Sequence, residues 1–201
     1  MRLGIMGGTF DPIHFGHLVT AEEALVQFNL DRVLFMPTGN PAFKSGERVT
    51  SVEHRYLMTV IATASNADFD VSRMEVDRAG LTYTIDTLIA LRDQYGPATE
   101  LFFITGADAV WDIVSWKDAE TIRDLVTFIA ATRPGYDLDA ARRSHESAAT
   151  GFHIEYVEVP ALAISSTDLR RRVAEKRPIT YLAPESVVAY IEKHDLYREV
   201  G

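Results

Sequence analysis

Two kinds of hydrophobic pattern alternate along the chain. Short continuous apolar runs predict buried strands at 3–6, 33–36, 101–104 and 126–130, with a weaker strand at 154–159. Segments whose apolar residues recur every three or four positions predict helices after Gly16, after residue 50, at 84–95, at about 166–176 and at about 185–194. Apolar strands separated by helices are typical of a parallel sheet that is covered on both faces. The pattern therefore predicts an α/β fold, with a doubly wound, mainly parallel sheet and helices on both faces.

Several element boundaries carry their own signals. Thr50-Ser51-Val52-Glu53 has the form of a capping box, in which the threonine accepts from the third helical amide and the glutamate reaches back. The helix at 84–95 is expected to stop at Gly96-Pro97. Residues 38–49 are polar, contain two glycines and one proline, and are interpreted as a loop. Residues 137–150 are compatible with either a helix or a loop.

Length and composition narrow the class of protein. The chain has 201 residues, of which 47% are hydrophobic and 24% charged, and this predicts a single globular domain over 1–201. It contains no cysteine, which excludes disulfide scaffolds, thiol nucleophiles and cysteine-ligated zinc. No apolar run approaches the ~18 residues needed to span a bilayer. The segment before Gly7 is too short for a secretory leader, so we expect a soluble, cytoplasmic protein.

The charge balance restricts the partners. Twenty basic and twenty-nine acidic side chains give a net charge of −9, which argues against a broad nucleic-acid or membrane surface. Positive charge is nevertheless concentrated locally, because residues 170–177 hold five basic side chains and one acidic one. A small polyanion such as a triphosphate is therefore compatible with this composition, whereas an extended nucleic acid is not.

The chemistry of a doubly wound fold is expected beyond the carboxyl ends of the strands, near the point where the strand order reverses. Gly7-Gly8 follows the first predicted strand and lets the backbone approach a ligand closely. His14 and His17 are three positions apart and share a face if a helix has begun. The amides of that helix N-terminus favour an anion. The pair could also be structural, or could ligate a metal together with Asp11.

Two strings resemble one enzyme superfamily. His14-Phe15-Gly16-His17 resembles the H-x-G-H element of the nucleotidylyltransferases, and Ile164-Ser165-Ser166-Thr167 with Arg170 resembles their I-S-S-T-x-x-R element. The string from Gly7 to Pro12 resembles the G-G-T-F-D-P of nicotinate-nucleotide adenylyltransferases. The resemblance implies a Rossmann-like fold whose C-terminal helices at about 166–194 complete the nucleotide site. It implies His14, His17 and Arg170 as catalytic residues.

Shorter matches extend the implied site. The ATP-binding residues that the resemblance implies are Gly7, Gly8, Thr9, Phe10, His14, His17, Gly106, Asp108, Arg133, Ser165, Ser166, Thr167 and Arg170. The implied contacts to the nicotinate nucleotide are Lys44, Tyr83, Thr84, Trp116 and Lys117. Pro41-Ala42-Phe43-Lys44 departs from the family's usual P-P-H-K and keeps only the lysine. Trp111 has no counterpart in the family and is expected in the core.

The reaction implied by the resemblance joins nicotinate mononucleotide to ATP and releases pyrophosphate. The attacking phosphate monoester has a second pKa near ~6, so it needs no strong general base. His14 and His17 are accordingly expected to act as hydrogen-bond donors, and Mg²⁺ to be bound through the ATP phosphates. We find no carboxylate cluster in the sequence that would be a dedicated metal site.

Three rival interpretations stay open on the sequence. The first is an adenylyltransferase for another phosphomonoester, such as nicotinamide mononucleotide or pantetheine phosphate. The second is a nucleotide-binding regulator that has kept the fold without turnover. The third is a metal-dependent hydrolase that uses Asp11, His14 and His17. The oligomeric state is not readable from these residues.

Overall fold

The computed structural model describes residues 1–40, 49–132, 151–160 and 163–198. Six parallel strands form one sheet in the order β3-β2-β1-β4-β5-β6. The strands are β1 Arg2–Gly8, β2 Arg32–Pro37, β3 Phe69–Val71, β4 Glu100–Gly106, β5 Val126–Thr132 and β6 Ile154–Glu158. This order reverses between β1 and β4, so the structure confirms the doubly wound parallel sheet.

Helices connect the strands and cover both faces. They are α1 Phe15–Gln27, α2 Val52–Thr63, α3 Thr84–Tyr95, α4 Ala119–Leu125, α5 Ser166–Ala174 and α6 Glu185–Lys193, with a 3₁₀ helix at Ala107–Ser115. Among the described residues, no helix is both long and apolar enough to cross a bilayer.

The sheet separates two hydrophobic cores. On one face, side chains such as Ile13, Met58 and Val187 pack together beneath α1, α2, α5 and α6. On the other face, side chains such as Leu88 and Ile122 pack beneath α3, the 3₁₀ helix and α4. Because both faces of every central strand are buried, the strands read as continuous apolar runs rather than as alternating ones.

The structure corrects the predicted capping box. Helix α2 begins at Val52 with Ser51 as its N-cap, and no side chain caps it. The Thr50 amide instead donates to the Asp11 carboxylate, and the Glu53 carboxylate accepts from Arg73. Long-range partners therefore occupy groups that the box would have joined, because these partners are charged and form stronger hydrogen bonds.

Three elements carried no recognised sequence signal. Strand β3 is a three-residue edge strand with an exposed aspartate at its centre, so it shows no apolar run. In the 3₁₀ helix, Ala107, Val110 and Ile113 are buried at every third position, which is the period of a 3₁₀ rather than an α-helix. Helix α4 is only seven residues long. The segment 137–150 lies outside the described residues.

Candidate active site

A cleft of about 410 Å³ opens at the carboxyl edge of the sheet, where the strand order reverses. Its walls come from the ends of β1, β4 and β5, from the start of α1, and from the segment after β6. His14, His17 and Gly106 are predicted site residues that line it. Sequence reasoning missed most of the remaining lining, which is Met6, Gly16, Val19, Thr20, Ala107, Ala131, Thr132, Val159, Pro160 and Ile164. These small and apolar side chains carry no chemical signature, so only the fold could assign them.

The two histidines form one stacked unit at the start of α1. His14 is the N-cap residue, and its ring lies 3.8 Å from that of His17, centroid to centroid, with 23° between the planes. The backbone N–H of His14 donates to Nδ1 of His17 over 3.3 Å. Because Nδ1 of His17 is an acceptor, the proton of its neutral ring sits on Nε2. The edge of the Phe10 ring packs against His17 at a centroid distance of 5.1 Å.

Burial keeps both rings neutral at neutral pH. Desolvation lowers the pKa of His14 to about 4. Desolvation, followed by the nearby charge of His14, lowers the pKa of His17 well below its usual range. Nδ1 of His14 is buried and has no hydrogen-bond partner among the described residues. The pair is thus suited to donate hydrogen bonds from neutral rings, rather than to supply positive charge.

The loop before the histidines is shaped by one buried aromatic ring. Phe10 is 2% exposed and has a left-handed backbone with φ of 50°. A Cβ added to Gly8 would lie 2.8 Å from the Phe10 ring, so a side chain does not fit there. Such a backbone conformation is costly for a bulky residue and is found most often at functional sites. The Phe10 side chain faces the core, which leaves only its backbone for the predicted contact to ATP.

The two sequence motifs meet directly, although they are far apart in the chain. Nη1 of Arg170 donates to the Asp11 carbonyl over 2.7 Å, and the Ser166 hydroxyl donates to the Pro12 carbonyl over 2.9 Å. Ser165 is the N-cap of α5, and its hydroxyl oxygen accepts from the Asp168 amide. The start of α5 is therefore fastened to the loop that leads into α1.

The basic cluster at 170–177, within and just after α5, is largely paired. The Asp168 carboxylate accepts from Arg171 and Arg172, and Arg177 pairs with Glu175. These pairs lie on the helix surface, where each contributes little. Arg170 has no such carboxylate partner among the described residues, so it is the cationic side chain in this cluster that faces the loop before α1.

The Asp11 side chain is buried and hydrogen-bonded to other parts of the protein. It is 3% exposed, and its carboxylate accepts from the Tyr197 hydroxyl over 2.6 Å and from the Thr50 amide over 3.2 Å. Within the part of the chain that the structure describes, no three His, Asp or Glu side chains are grouped to hold a metal ion. Asp11 therefore joins the loop before α1 to α2 and the C-terminal segment.

The residues predicted to contact the pyridine nucleotide gather on the other face of the sheet. Trp116 follows the 3₁₀ helix, and its half-buried ring packs edge-on against Phe103 at 5.8 Å. Nζ of Lys117 lies 4.5 Å above the Tyr83 ring and 3.8 Å from the Asp86 carboxylate. Tyr83 is the N-cap of α3, and Thr84 is its first residue. Tyr83 and Lys117 are thus brought into contact, and Thr84 and Trp116 adjoin them in the chain.

Four of the predicted site or core residues lie wholly or partly outside the described part of the structure. Lys44 and Arg133 lie outside the described residues, and so do the side chains of Asp108 and Trp111. Their roles stay predictions. The backbone of Asp108 lies in the 3₁₀ helix directly after Gly106, at the carboxyl end of β4.

Two buried charged residues next to the site were not identified from the sequence. Arg55 is 2% exposed and Glu75 is 6% exposed. Arg55 stands three positions before Met58 and seven before Ala62, both on the buried face of α2. A charged residue at the spacing of an apolar helix face could have been noticed in the sequence, because an unpaired charge is seldom buried without a specific role. Glu75 has no comparable signal, because it lies in an irregular segment.

Comparison with known proteins places this site in a family. Residues 5–172 match the model of the cytidylyltransferase-like family. A protein of Thermoanaerobacter sp. (strain X514) is 53% identical over 206 residues, covering 99% of this chain and 95% of its own. A protein of Corynebacterium kroppenstedtii is 56% identical over 200 residues, covering 100% and 92%. Both relatives carry the name "Probable nicotinate-nucleotide adenylyltransferase". This chain belongs to the nicotinate-nucleotide adenylyltransferase family.

Solved structures with the same fold include a distant member of this family. The Plasmodium falciparum nicotinic acid mononucleotide adenylyltransferase complexed with NaAD superimposes with a TM-score of 0.78. It is 22% identical, and the match covers 98% of this chain and 97% of that one. The same enzyme complexed with APC gives a TM-score of 0.76. At this identity the likeness concerns the fold, and it agrees with the Rossmann-like architecture expected for the family.

Proposed function

We propose that this protein transfers the adenylyl group of ATP to nicotinate mononucleotide, giving nicotinate adenine dinucleotide and pyrophosphate in NAD biosynthesis. Family membership makes it a nucleotidyltransferase. The observation that carries the proposal is the contact between the two motifs. Arg170 and Ser166 bind the Asp11 and Pro12 carbonyls in the loop that leads into His14 and His17, so the start of α5 is held beside the start of α1.

The triphosphate of ATP is proposed to bind at the start of α1. The positive end of the helix dipole attracts anions, and His14 and His17 add two neutral N–H donors. A phosphate oxygen of the mononucleotide attacks the α-phosphorus and forms the new O–P bond. The bond from the α-phosphorus to the bridging oxygen breaks, and its electron pair leaves with pyrophosphate.

The histidines are proposed to act without transferring a proton. The phosphate nucleophile is largely deprotonated at neutral pH, so no base is needed. Because their pKa values lie far below 7, the rings stay neutral and donate hydrogen bonds to the α-phosphate and the bridging oxygen. Arg170 offsets the negative charge that develops on the departing pyrophosphate. Catalysis of this type rests on alignment and charge stabilisation.

Mg²⁺ is proposed to arrive with the nucleotide. The described cleft presents N–H donors, while Asp11 and Asp168 are occupied by protein donors. These residues fit an ion held by phosphates and water better than a resident ion, and Mg²⁺ commonly binds in this way. When bound, it would neutralise phosphate charge.

The pyridine ring is proposed to stack on Trp116. The backbone amides near Thr84 and near Trp116-Lys117 would read its carboxylate, which favours the acid over the amide. Lys44 and Arg133 are proposed as further contacts to the mononucleotide and to ATP, respectively. The cytoplasmic location and the absence of nucleic-acid or membrane partners stay predictions from the sequence.

One experiment tests the substrate. The protein is mixed with ATP and Mg²⁺ and, separately, with nicotinate mononucleotide, nicotinamide mononucleotide or phosphopantetheine, and released pyrophosphate is measured. We expect release with nicotinate mononucleotide. Release only with phosphopantetheine would contradict the proposal, and no release with any substrate would favour a regulator. A metal-dependent hydrolase would instead act on ATP without a second substrate, and a tight chelator would abolish that activity.

A second experiment tests the donors. His17→Ala should lower kcat by roughly 10²–10³-fold, the usual effect of removing one such donor, while the Kd of ATP changes little. His153→Ala, whose exposed side chain precedes β6, is the matched control. Equal kcat values for the two variants would assign His17 a purely structural role.

A further inference from the structure

A buried arginine joins three loops at the active edge of the sheet. Nη1 of Arg55 donates to the Thr9 carbonyl over 2.7 Å, and Nη2 donates to the Gly39 carbonyl over 3.0 Å. Its Nε donates to the Thr50 carbonyl over 2.9 Å. Thr9 follows β1, Gly39 follows β2 and Thr50 precedes α2. One guanidinium group thus fixes the distances between the segments that leave the first two strands.

Burial of the Arg55 charge is unfavourable for stability, which points to a role in the geometry of the site. Arg55 is 2% exposed and has no carboxylate within ion-pair distance among the described residues. Desolvation lowers its pKa, although the charge of Asp11 opposes that change. A buried cation that is held only by carbonyls is an expensive way to gain stability. Its fixed fork of donors is, however, well suited to set the spacing of three backbones.

A buried carboxyl lies beside the same residue, Gly39. A Cβ on Gly39 would lie 2.1 Å from the backbone carbonyl oxygen of Glu75. The Gly39 amide faces the Glu75 carboxylate, which also accepts from the Thr87 hydroxyl over 2.7 Å. In addition, the Thr82 amide donates to the Asn40 carbonyl over 2.9 Å. The segment after β2 is therefore held against the start of α3.

We infer that Arg55 and Glu75 are positioning residues, which bind the carbonyl and the amide of Gly39, respectively, and so fix the Thr9 loop relative to the start of α3. The inference rests on the proposed function, in which the Thr9 loop serves ATP and the start of α3 serves the pyridine nucleotide. Neither side chain lines the cleft. Their effect is on alignment of the attacking phosphate with the α-phosphorus, and small misplacements of that kind reduce turnover by about 10²-fold.

The expected signature separates turnover from binding. In Arg55→Met and Arg55→Lys, each half of the site stays intact, so the Kd of ATP and of nicotinate mononucleotide measured singly should change less than about threefold. The value of kcat should fall by roughly 10–100-fold in Arg55→Met. Arg55→Lys keeps the cation and should lose less, but it should not reach the wild-type value, because its single nitrogen cannot reach three carbonyls. Glu75→Gln should also lower kcat. The double variant should lose less than the product of the two single effects, because both side chains act through one residue, Gly39.

The chain offers a matched control. Nη1 of Arg92 donates to the carbonyls of Pro97 and Thr99, and Nη2 donates to that of Leu125. It is likewise an arginine bound to three carbonyls, but these precede β4 and β5, at the edge of the sheet opposite the cleft. Arg92→Met should lower the thermal midpoint and leave kcat nearly unchanged in the folded fraction.

The outcomes distinguish this inference from the proposed function. If the wild-type protein releases no pyrophosphate with nicotinate mononucleotide, the proposed function fails whatever the variants do. If the wild-type protein is active and Arg55→Lys and Arg55→Met keep full kcat, the inference alone is overturned. Equal kcat losses in the Arg55→Met and Arg92→Met variants would also overturn it, since both would then report only stability. If Arg55→Met does not fold, Arg55→Lys and Glu75→Gln still decide the question.

Discussion

The buried carboxyl of Glu75 should contribute stability at acidic pH that is lost as the pH rises towards neutrality. Burial raises its pKa from 4.5 to about 7, while the Thr87 hydroxyl, the Arg78 charge and the Gly39 amide oppose that rise. Between these two pH values the native state keeps a proton that the unfolded chain has lost. The stabilisation is therefore complete below about pH 4.5 and is lost as the pH rises through about 7.

The size of this effect follows from the pKa. A rise from 4.5 to about 7 at ~1.36 kcal/mol per pKa unit corresponds to about 3 kcal/mol of unfolding free energy. Glu75→Gln cannot titrate and removes this dependence. Relative to wild type, the variant should therefore gain about 3 kcal/mol between pH 4.5 and pH 8, whatever the fixed cost of the amide.

Urea unfolding at pH 4.5, 6, 7 and 8 measures the difference. Glu192→Gln, which removes an exposed carboxyl on α6, is the control and should follow the wild-type curve. Parallel wild-type and Glu75→Gln curves over this range would refute the reasoning, because they would mean that Glu75 titrates alike in the folded and unfolded chains.

Three further predictions concern single side chains. Gly39→Ala places a methyl group 2.1 Å from a backbone oxygen and should cost about 1–3 kcal/mol in urea unfolding. Gly106→Ala, where nothing lies within 4 Å, is its stability control, and equal losses would count against the close approach. Ser165→Ala removes the N-cap of α5 and should cost about 1 kcal/mol. If the hydroxyl also binds phosphate, the KM of ATP should rise as well, and an unchanged KM would limit Ser165 to capping. Trp116→Ala should raise the KM of nicotinate mononucleotide with little change in kcat, and an unchanged KM would exclude stacking.

The sequence was most informative where local chemistry and periodicity agree. Helix α3 has the predicted bounds, because helical spacing is closed by Gly96 at its C-cap. The strands of the sheet centre were likewise predicted, since burial on both faces makes them continuous apolar runs. Strand β3 and the 3₁₀ helix were not predicted. An edge strand of three residues gives no apolar run, and a period of three differs from that of an α-helix.

The residues of the candidate site also fall into those that the sequence could identify and those that it could not. Histidine, serine and arginine at motif spacing could be named from the sequence, because their chemistry is in the side chain. The apolar cleft walls could not be named, since Val19 or Val159 differs from any core residue only by its place beside the cleft.

The amino-acid sequence alone specified the doubly wound class, the two motifs and a family resemblance that the comparisons confirm. Only the folded chain reveals that Arg170 reaches the Asp11 carbonyl, that two stacked histidines are held neutral, and that Arg55 and Glu75 bind the same residue, Gly39. The reason is physical. Periodicity and residue type record which groups are apolar or reactive, whereas hydrogen bonds and pKa shifts depend on burial and on partners that are distant in the chain.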